Sequence, residues 1–153
     1  MRYSVDTSAI LDGWRRYYPI DTFPGLWTRI SELVVQNHLR ATEEVLFELR
    51  KQDGEVLAWV TQQQNLFVTM DKEIQLKVRE ILLAHPDLVD AGKGRSGADP
   101  FVIALAELNN CTVISGEQLT GRLNRPRIPD ICSARSIPHG NLLFLIQQEG
   151  WKF

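Results

Sequence analysis

The stretch "YSVDTSAILDG", residues 3–13, decides how the chain should be read. Tyr3 and Val5 open a strand expected over residues 3–6. Thr7 or Ser8 can then cap a helix expected over 8–18, since a side-chain hydroxyl satisfies the free amides of a helix start. A carboxylate, Asp6, therefore stands where the first strand ends and the first helix begins.

The alternation continues along the chain. After a turn-rich connection, "YPIDTFP" (18–24), Leu26, Ile30, Leu33 and Val34 recur at helical spacing. A short strand is expected around Leu39–Ala41, and Thr42 can cap a helix from Glu43 to about Lys51. Residues 55–63 suit another short helix, with Val56, Trp59 and Val60 on one face. "NLFVT" (65–69) is a strand, and 71–84 a helix with Ile74, Val78, Ile81 and Leu82 on one side. A helix over 98–110 has Pro100 in its first turn, and "CTVIS" (111–115) is a strand. "RSI" (135–137) is expected as a last short strand and 141–148 as a last helix. Strands alternating with helices predict an α/β fold around a mainly parallel sheet of about five strands. Such sheets place ligand sites beyond the carboxyl ends of their strands, which is where Asp6 stands.

The 153 residues suit one domain, 1–153, with a core of its own. Hydrophobic residues at 44% and charged residues at 24% are ordinary for a globular chain, which excludes disordered and collagen-like classes. No apolar run approaches the roughly 20 residues of a membrane helix. Asp6 and Asp12 interrupt any signal-peptide core. Cys111 and Cys132 suit buried thiols in a reduced, cytoplasmic protein, and no Cys/His spacing suggests zinc. Residues 1–92 hold 10 Lys/Arg against 14 Asp/Glu, and residues 93–153 hold 7 against 5. The basic excess sits in "GKGRSG" (92–97) and "GRLNRPR" (121–127), a rim suited to a polyanion. Lys93 and Arg95 are candidate phosphate contacts; Arg122, Arg125 and Arg127 would meet phosphates or an acidic partner. "GKGRSG" lacks the ending of a phosphate-binding P-loop. Trp14, Tyr17, Tyr18, Trp27 and Trp59 are expected chiefly as core or interface anchors rather than base-stacking platforms, and helix surfaces rich in such rings lead us to expect a homodimer.

Further acids share the strand ends with Asp6. Glu117 follows "CTVIS" past Gly116, Asp99 begins the preceding helix, and Glu48 lies in the helix after the second strand with Glu44 one turn earlier. Converging carboxylates repel unless a cation lies between them. Mg²⁺ and Mn²⁺ favour oxygen ligands, and one or two such ions can activate water and stabilise a leaving oxygen at a phosphodiester. That chemistry needs no histidine, and the three histidines are dispersed.

"YSVDTSAILDGW" (3–14), "EEVLFELRK" (43–51), "GADPFVIALA" (97–106) and "VISGEQ" (113–118), in this order and spacing, resemble a PIN-domain ribonuclease. "YYPIDTFPGLW" (17–27), "RIPDIC" (127–132) and "LLFLIQQEGWKF" (142–153) are similar to a PIN-like subgroup of formerly unknown function, grouped with VapC-type toxins. The resemblance implies a three-layer α/β/α sandwich, an acidic pocket for Mg²⁺ or Mn²⁺, and endonucleolytic cleavage of RNA. It makes Asp6, Glu48 and Asp99 metal-binding catalytic acids, with Glu117 where a fourth acid, commonly Asp, stands. Ser8 and Ser115 match supporting hydroxyls, Glu44 is the alternative to Glu48, and Asp130 in "RIPDIC" is a further acid near the pocket or apart from it. It also implies a toxin's partner, a small antitoxin covering the acidic pocket or its basic rim. A PIN-like binding module without activity and a structure-specific DNA nuclease are the alternatives; four intact acids favour the enzyme.

Overall fold

The computed structural model describes residues 1–52, 54–88, 97–122 and 124–153. Its centre is β1 (Tyr3–Val5), a strand buried at every position, as expected for a parallel strand covered on both faces. β2 (Leu39–Thr42) and β3 (Phe67–Val68) extend the sheet on one side, β4 (Thr112–Ile114) and β5 (His139–Gly140) on the other. The order is β3-β2-β1-β4-β5, and every pairing is parallel. Tyr3 lies beside Leu39 and Thr112, and Val5 beside Ile114. The chain builds outward from β1 to β3, then crosses back to β4. The crevice where ligands bind in such sheets therefore opens between the carboxyl ends of β1 and β4.

Eight α-helices among the described residues cover the sheet: α1 (Thr7–Asp12), α2 (Pro24–Val35), α3 (Glu43–Leu49), α4 (Glu55–Gln62), α5 (Lys72–Ala84), α6 (Asp99–Leu108), α7 (Ile128–Ala134) and α8 (Leu142–Gln148). They make the expected three-layer α/β/α sandwich. On one face of β1 the Ser4 hydroxyl donates to the Val102 carbonyl of α6 at 2.8 Å. On the other, Val5 meets Ile10, Trp27 and Leu145 around a small apolar void. α6 is apolar nearly all round, with Val102, Ile103, Ala104, Leu105 and Ala106 buried, as a helix packed between sheet and α5 must be. Trp14, Trp27 and Trp59 interlock at centroid distances of 4.9, 5.0 and 5.8 Å, so these rings are core anchors. Both cysteines are buried thiols. No helix of the described residues is long and apolar enough to cross a membrane.

Local details differ from expectation at five points. The cap of α1 is Asp6 rather than Thr7 or Ser8, because the carboxylate, one residue earlier, already accepts from the Ser8 amide. The first helix does not run on regularly; residues Gly13–Tyr17 form a π-helical turn. Thr42 occupies the N-cap position of α3 but its hydroxyl makes no capping bond. The last strand is 139–140, not 135–137. The sequence "IPDICSA" forms α7, which was not expected; Ser136 then turns the chain with φ 57°, and the Ile137 amide bonds the Cys132 carbonyl at 2.8 Å. Residues 135–137 are thus the exit of a helix, and pairing with β4 resumes at Pro138, whose carbonyl accepts from the Val113 amide.

Candidate functional site

Each strand end at the crevice delivers an acid. The Asp6 amide still bonds the Ile114 carbonyl at 2.8 Å, so its side chain is held at the last rung between β1 and β4. That side chain is 2% exposed. Its Oδ2 accepts from the Ser8 amide at 3.3 Å and from the Ser8 hydroxyl, whereas Oδ1 is buried with no hydrogen-bond partner. Asp99, 4% exposed, lies in the first turn of α6, where the helix dipole favours a negative charge. Glu117 arrives on the loop after β4; its Oε2 accepts from the Ile128 amide at 2.8 Å, and its Oε1 lies 4.0 Å from the Arg127 guanidinium. Asp6, Asp99 and Glu117 each offer an oxygen lying within 4.8 Å of the others. Octahedral Mg²⁺ with ligands at about 2.1 Å sets adjacent oxygens about 3 Å and opposite ones about 4.2 Å apart, so the trio would have to contract to close on one ion.

The trio sits in an open cleft of about 440 Å³ that Glu44, Glu48 and Lys51 also line. Glu48 stands outside the close trio. Its Oε1 accepts from the Ala98 amide at 3.1 Å, which fixes the turn that launches Asp99 into α6. Both expected helix acids therefore face the cleft, with Glu48 the one bonded to the Asp99 segment. Burial, more than anything else, raises the Asp6 carboxyl to about 7; the Ser8 hydrogen bond opposes this, and the charges of Glu117 and Glu48 add to it. Burial likewise raises Glu44, helped by Glu43 and Glu48. The cleft is short of positive charge.

The two hydroxyls act as brackets. Ser8 Oγ donates to Asp6, accepts from the Gly116 amide at 2.9 Å and lies 3.3 Å from Ser115 Oγ. Ser115 Oγ accepts from the Glu117 amide at 3.0 Å. Gly116 is required between them: a β-carbon there would come within 2.5 Å of Asp12 Oδ2 and 2.9 Å of the Ser8 carbonyl.

Asp130 lies elsewhere. Its carboxylate accepts from the amides of Thr120, Gly121 and Arg127 and from the Thr120 hydroxyl, at 2.8–3.2 Å. Burial pushes this carboxyl up, but the hydrogen bonds from Arg127, Thr120 and Gly121 outweigh it and hold it below the usual range. Asp130 thus clips the loop carrying Glu117 onto α7. Arg122 and Arg125 are exposed on that loop, and Arg127 reaches the acidic trio. Lys93 and Arg95 lie outside the described residues. Lys51, not singled out from the sequence, lies in the turn just past the end of α3 and lines the same cleft as Glu44.

A family model described as a domain of unknown function (DUF4411) matches residues 3–153, and the chain belongs to that family. No curated protein matches the chain.

Proposed function

We propose that this member of the DUF4411 family is an Mg²⁺- or Mn²⁺-dependent endoribonuclease of the cytoplasm, the toxin of a toxin–antitoxin pair. One observation carries the metal-dependent hydrolase: three acids from three separate segments converge to within 4.8 Å at the crevice of a parallel sheet. The donor set suits a hard divalent cation, since it is all carboxylate and includes Asp6 Oδ1, a buried oxygen with no other partner. Asp6, Asp99 and Glu117 would hold the ion, with Glu48 and Glu44 across the cleft. When bound, such an ion supplies the charge that activates water and stabilises the departing oxygen of a phosphodiester. The chain's own residues do the rest. Ser8 and Ser115 keep Asp6 and Glu117 in place. Lys51 and Arg127 set cations at the rim for the flanking phosphates. No histidine lines the cleft among the described residues, so the proton leaving the attacking water passes to a carboxylate or to solvent. The products expected are 5′-phosphate and 3′-hydroxyl ends. RNA as substrate, and a small antitoxin as partner, follow from the PIN-like resemblance.

The test is cleavage of end-labelled RNA and of matched DNA by chelator-treated protein with Mn²⁺ restored. RNA cleavage that needs the ion, and that a folded Asp99→Asn variant loses, is expected. Full cleavage by the folded variant overturns the assignment of Asp99. Cleavage of DNA alone makes the chain a DNA nuclease, and cleavage of neither leaves a binding module.

A further inference from the structure

The acidic cleft has a neighbour. A second groove, of about 300 Å³, shares Glu117 with it and is lined by Asp12, Tyr17, Gln118 and Asn141. Several local departures from regular structure shape it. α1 widens into the π-helical turn Gly13–Tyr17, closed by the Tyr18 amide on the Gly13 carbonyl at 2.7 Å. Such turns occur often at functional sites. The widening leaves Tyr17 63% exposed while Trp14 beside it joins the core. Gly13 lets α8 close in, since a β-carbon there would meet Leu142 at 2.7 Å. Gly116 admits the Asp12 carboxylate next to the turn that carries Glu117.

The groups left over are specific in kind. Asp12 is half-buried and takes no hydrogen bond or ion pair among the described residues. Asn141 spends its Oδ1 on the Phe144 amide at 2.9 Å, which leaves its Nδ2 donors for a ligand. Tyr17 offers a ring face. An acceptor-only carboxylate, an amide donor and an exposed ring together suit a flat heterocycle that presents N–H groups. Among the four RNA bases only guanine offers two adjacent donors, N1–H and the 2-amino group, which a carboxylate can accept side by side. Because the groove shares Glu117 with the acidic cleft, a base held here belongs to the nucleotide adjoining the phosphate in that cleft.

We propose that this groove is a nucleobase subsite that prefers guanine through Asp12, with Tyr17 as the stacking platform. The guanine contact stands on the groove itself, and its place beside a scissile phosphate rests on the nuclease reading.

Mononucleotides contain no phosphodiester to cleave, so their binding can be read without activity. Calorimetric titration of the whole wild-type chain with GMP, IMP, AMP, CMP and UMP is expected to rank GMP first. GMP should exceed IMP, which lacks only the 2-amino group, by about tenfold. Asp12→Asn should bring the two within about twofold, and Tyr17→Ala should weaken all five by about tenfold while keeping their ratio. Equal or absent binding of the five by wild type overturns the subsite, as does a GMP preference that survives Asp12→Asn. The GMP–IMP comparison needs no variant, so a misfolded one cannot rescue the proposal. Selective GMP binding by a chain that cleaves no RNA removes the nuclease reading and leaves the subsite. RNA cleavage without nucleotide selectivity removes the subsite alone.

Discussion

Asp6→Asn should stabilise the metal-free protein while removing a ligand of the cation proposed above. Burial, opposed by Ser8 and aided by Glu117 and Glu48, lifts the Asp6 carboxyl from 3.8 to about 7. At about 1.4 kcal/mol per pH unit, a rise of about three units costs the folded state at most about 4 kcal/mol once Asp6 is ionised. The direction follows from proton counts. Between about pH 4 and pH 7 the folded chain keeps a proton on Asp6 that the unfolded chain has released, so stability falls as pH rises across that window. Below the window both states are protonated; above it both are ionised and the loss is complete. Asparagine keeps an oxygen for the Ser8 amide and carries no charge, so it escapes the loss.

The assay is urea unfolding in chelator, wild type against Asp6→Asn, near pH 8 and again near pH 4. The variant should lead by up to about 4 kcal/mol at the higher pH and by little at the lower. At about 2–4 °C per kcal/mol for a chain of this size, the lead is also visible as a melting shift near neutral pH. Adding Mn²⁺ to about a hundred times its Kd should return about 2.7 kcal/mol to wild type and much less to the variant. An Asn variant less stable than wild type by the same amount at both pH values would refute the reasoning, because Asp6 would then be a structural cap whose charge the fold tolerates.

Other perturbations separate the scaffold from the centre. Asp130→Ala removes the acceptor for three amides and a hydroxyl, and should cost about 3 kcal/mol in urea unfolding and open the 117–127 loop to limited proteolysis. Gly116→Ala drives a β-carbon against Asp12 and the Ser8 backbone; a loss of about 1–3 kcal/mol is expected, together with weaker Mn²⁺ binding by calorimetry as Glu117 shifts. Glu107 is held below its usual range by its hydrogen bonds to Arg135, against burial and with help from Lys77. Its stabilisation is present above the ordinary carboxylate pKa and lost as pH falls through the lowered one, so Glu107→Gln should flatten the acid limb of a stability–pH curve.

The fold could be read from the sequence because its signals are local and periodic. Leu26, Ile30, Leu33 and Val34 can line one face only in a helix, and α2 buries all four. β1, β2 and β4 needed only short apolar runs between breakers. Where reading failed, a distant bond decided. "IPDICSA" has Ile128, Ile131 and Cys132 at helical spacing after Pro129 could be placed in a first turn, but its start is held by Glu117, eleven residues earlier, and by Asp130. The strand at 139–140 takes its position from β4, not from its own residues, and His-Gly carries no strand propensity to reveal it. At the site, the sequence points to Asp6 and Glu117 as acids at strand ends and Asp99 as an acid at a helix start, but which of four acids lie closest depends on side-chain reach. Glu48 was indistinguishable from Asp99 until its bond to the Ala98 amide set it one step back.

How the chain distributes its charges argues against a purely structural role for the acids. Two of the less exposed carboxylates elsewhere are matched: Glu149 takes Arg2 and the Tyr3 hydroxyl at the opposite end of β1, and Glu107 takes Arg135. At the carboxyl edge the pattern reverses. Asp6 is buried with one oxygen unbonded, Glu117 has the Ile128 amide on one oxygen but no counter-charge nearer than a guanidinium at 4.0 Å, and Glu44 and Glu48 add negative charge to the same cleft. If Asp6 were needed only to cap α1, Asn or Ser would serve as well and cost nothing in repulsion. A glycine that admits a further carboxylate, Asp12, beside Glu117 deepens the imbalance. Sequences that break local rules at one place and keep them elsewhere do so where function demands it. A ligand that relieved this particular break would be positive, small enough for carboxylates within 4.8 Å, and content with oxygen donors. On the proposed reading a divalent cation meets all three conditions; a lysine or arginine from a protein partner is positive and pairs with carboxylates, but it is bulkier and bears a single charge.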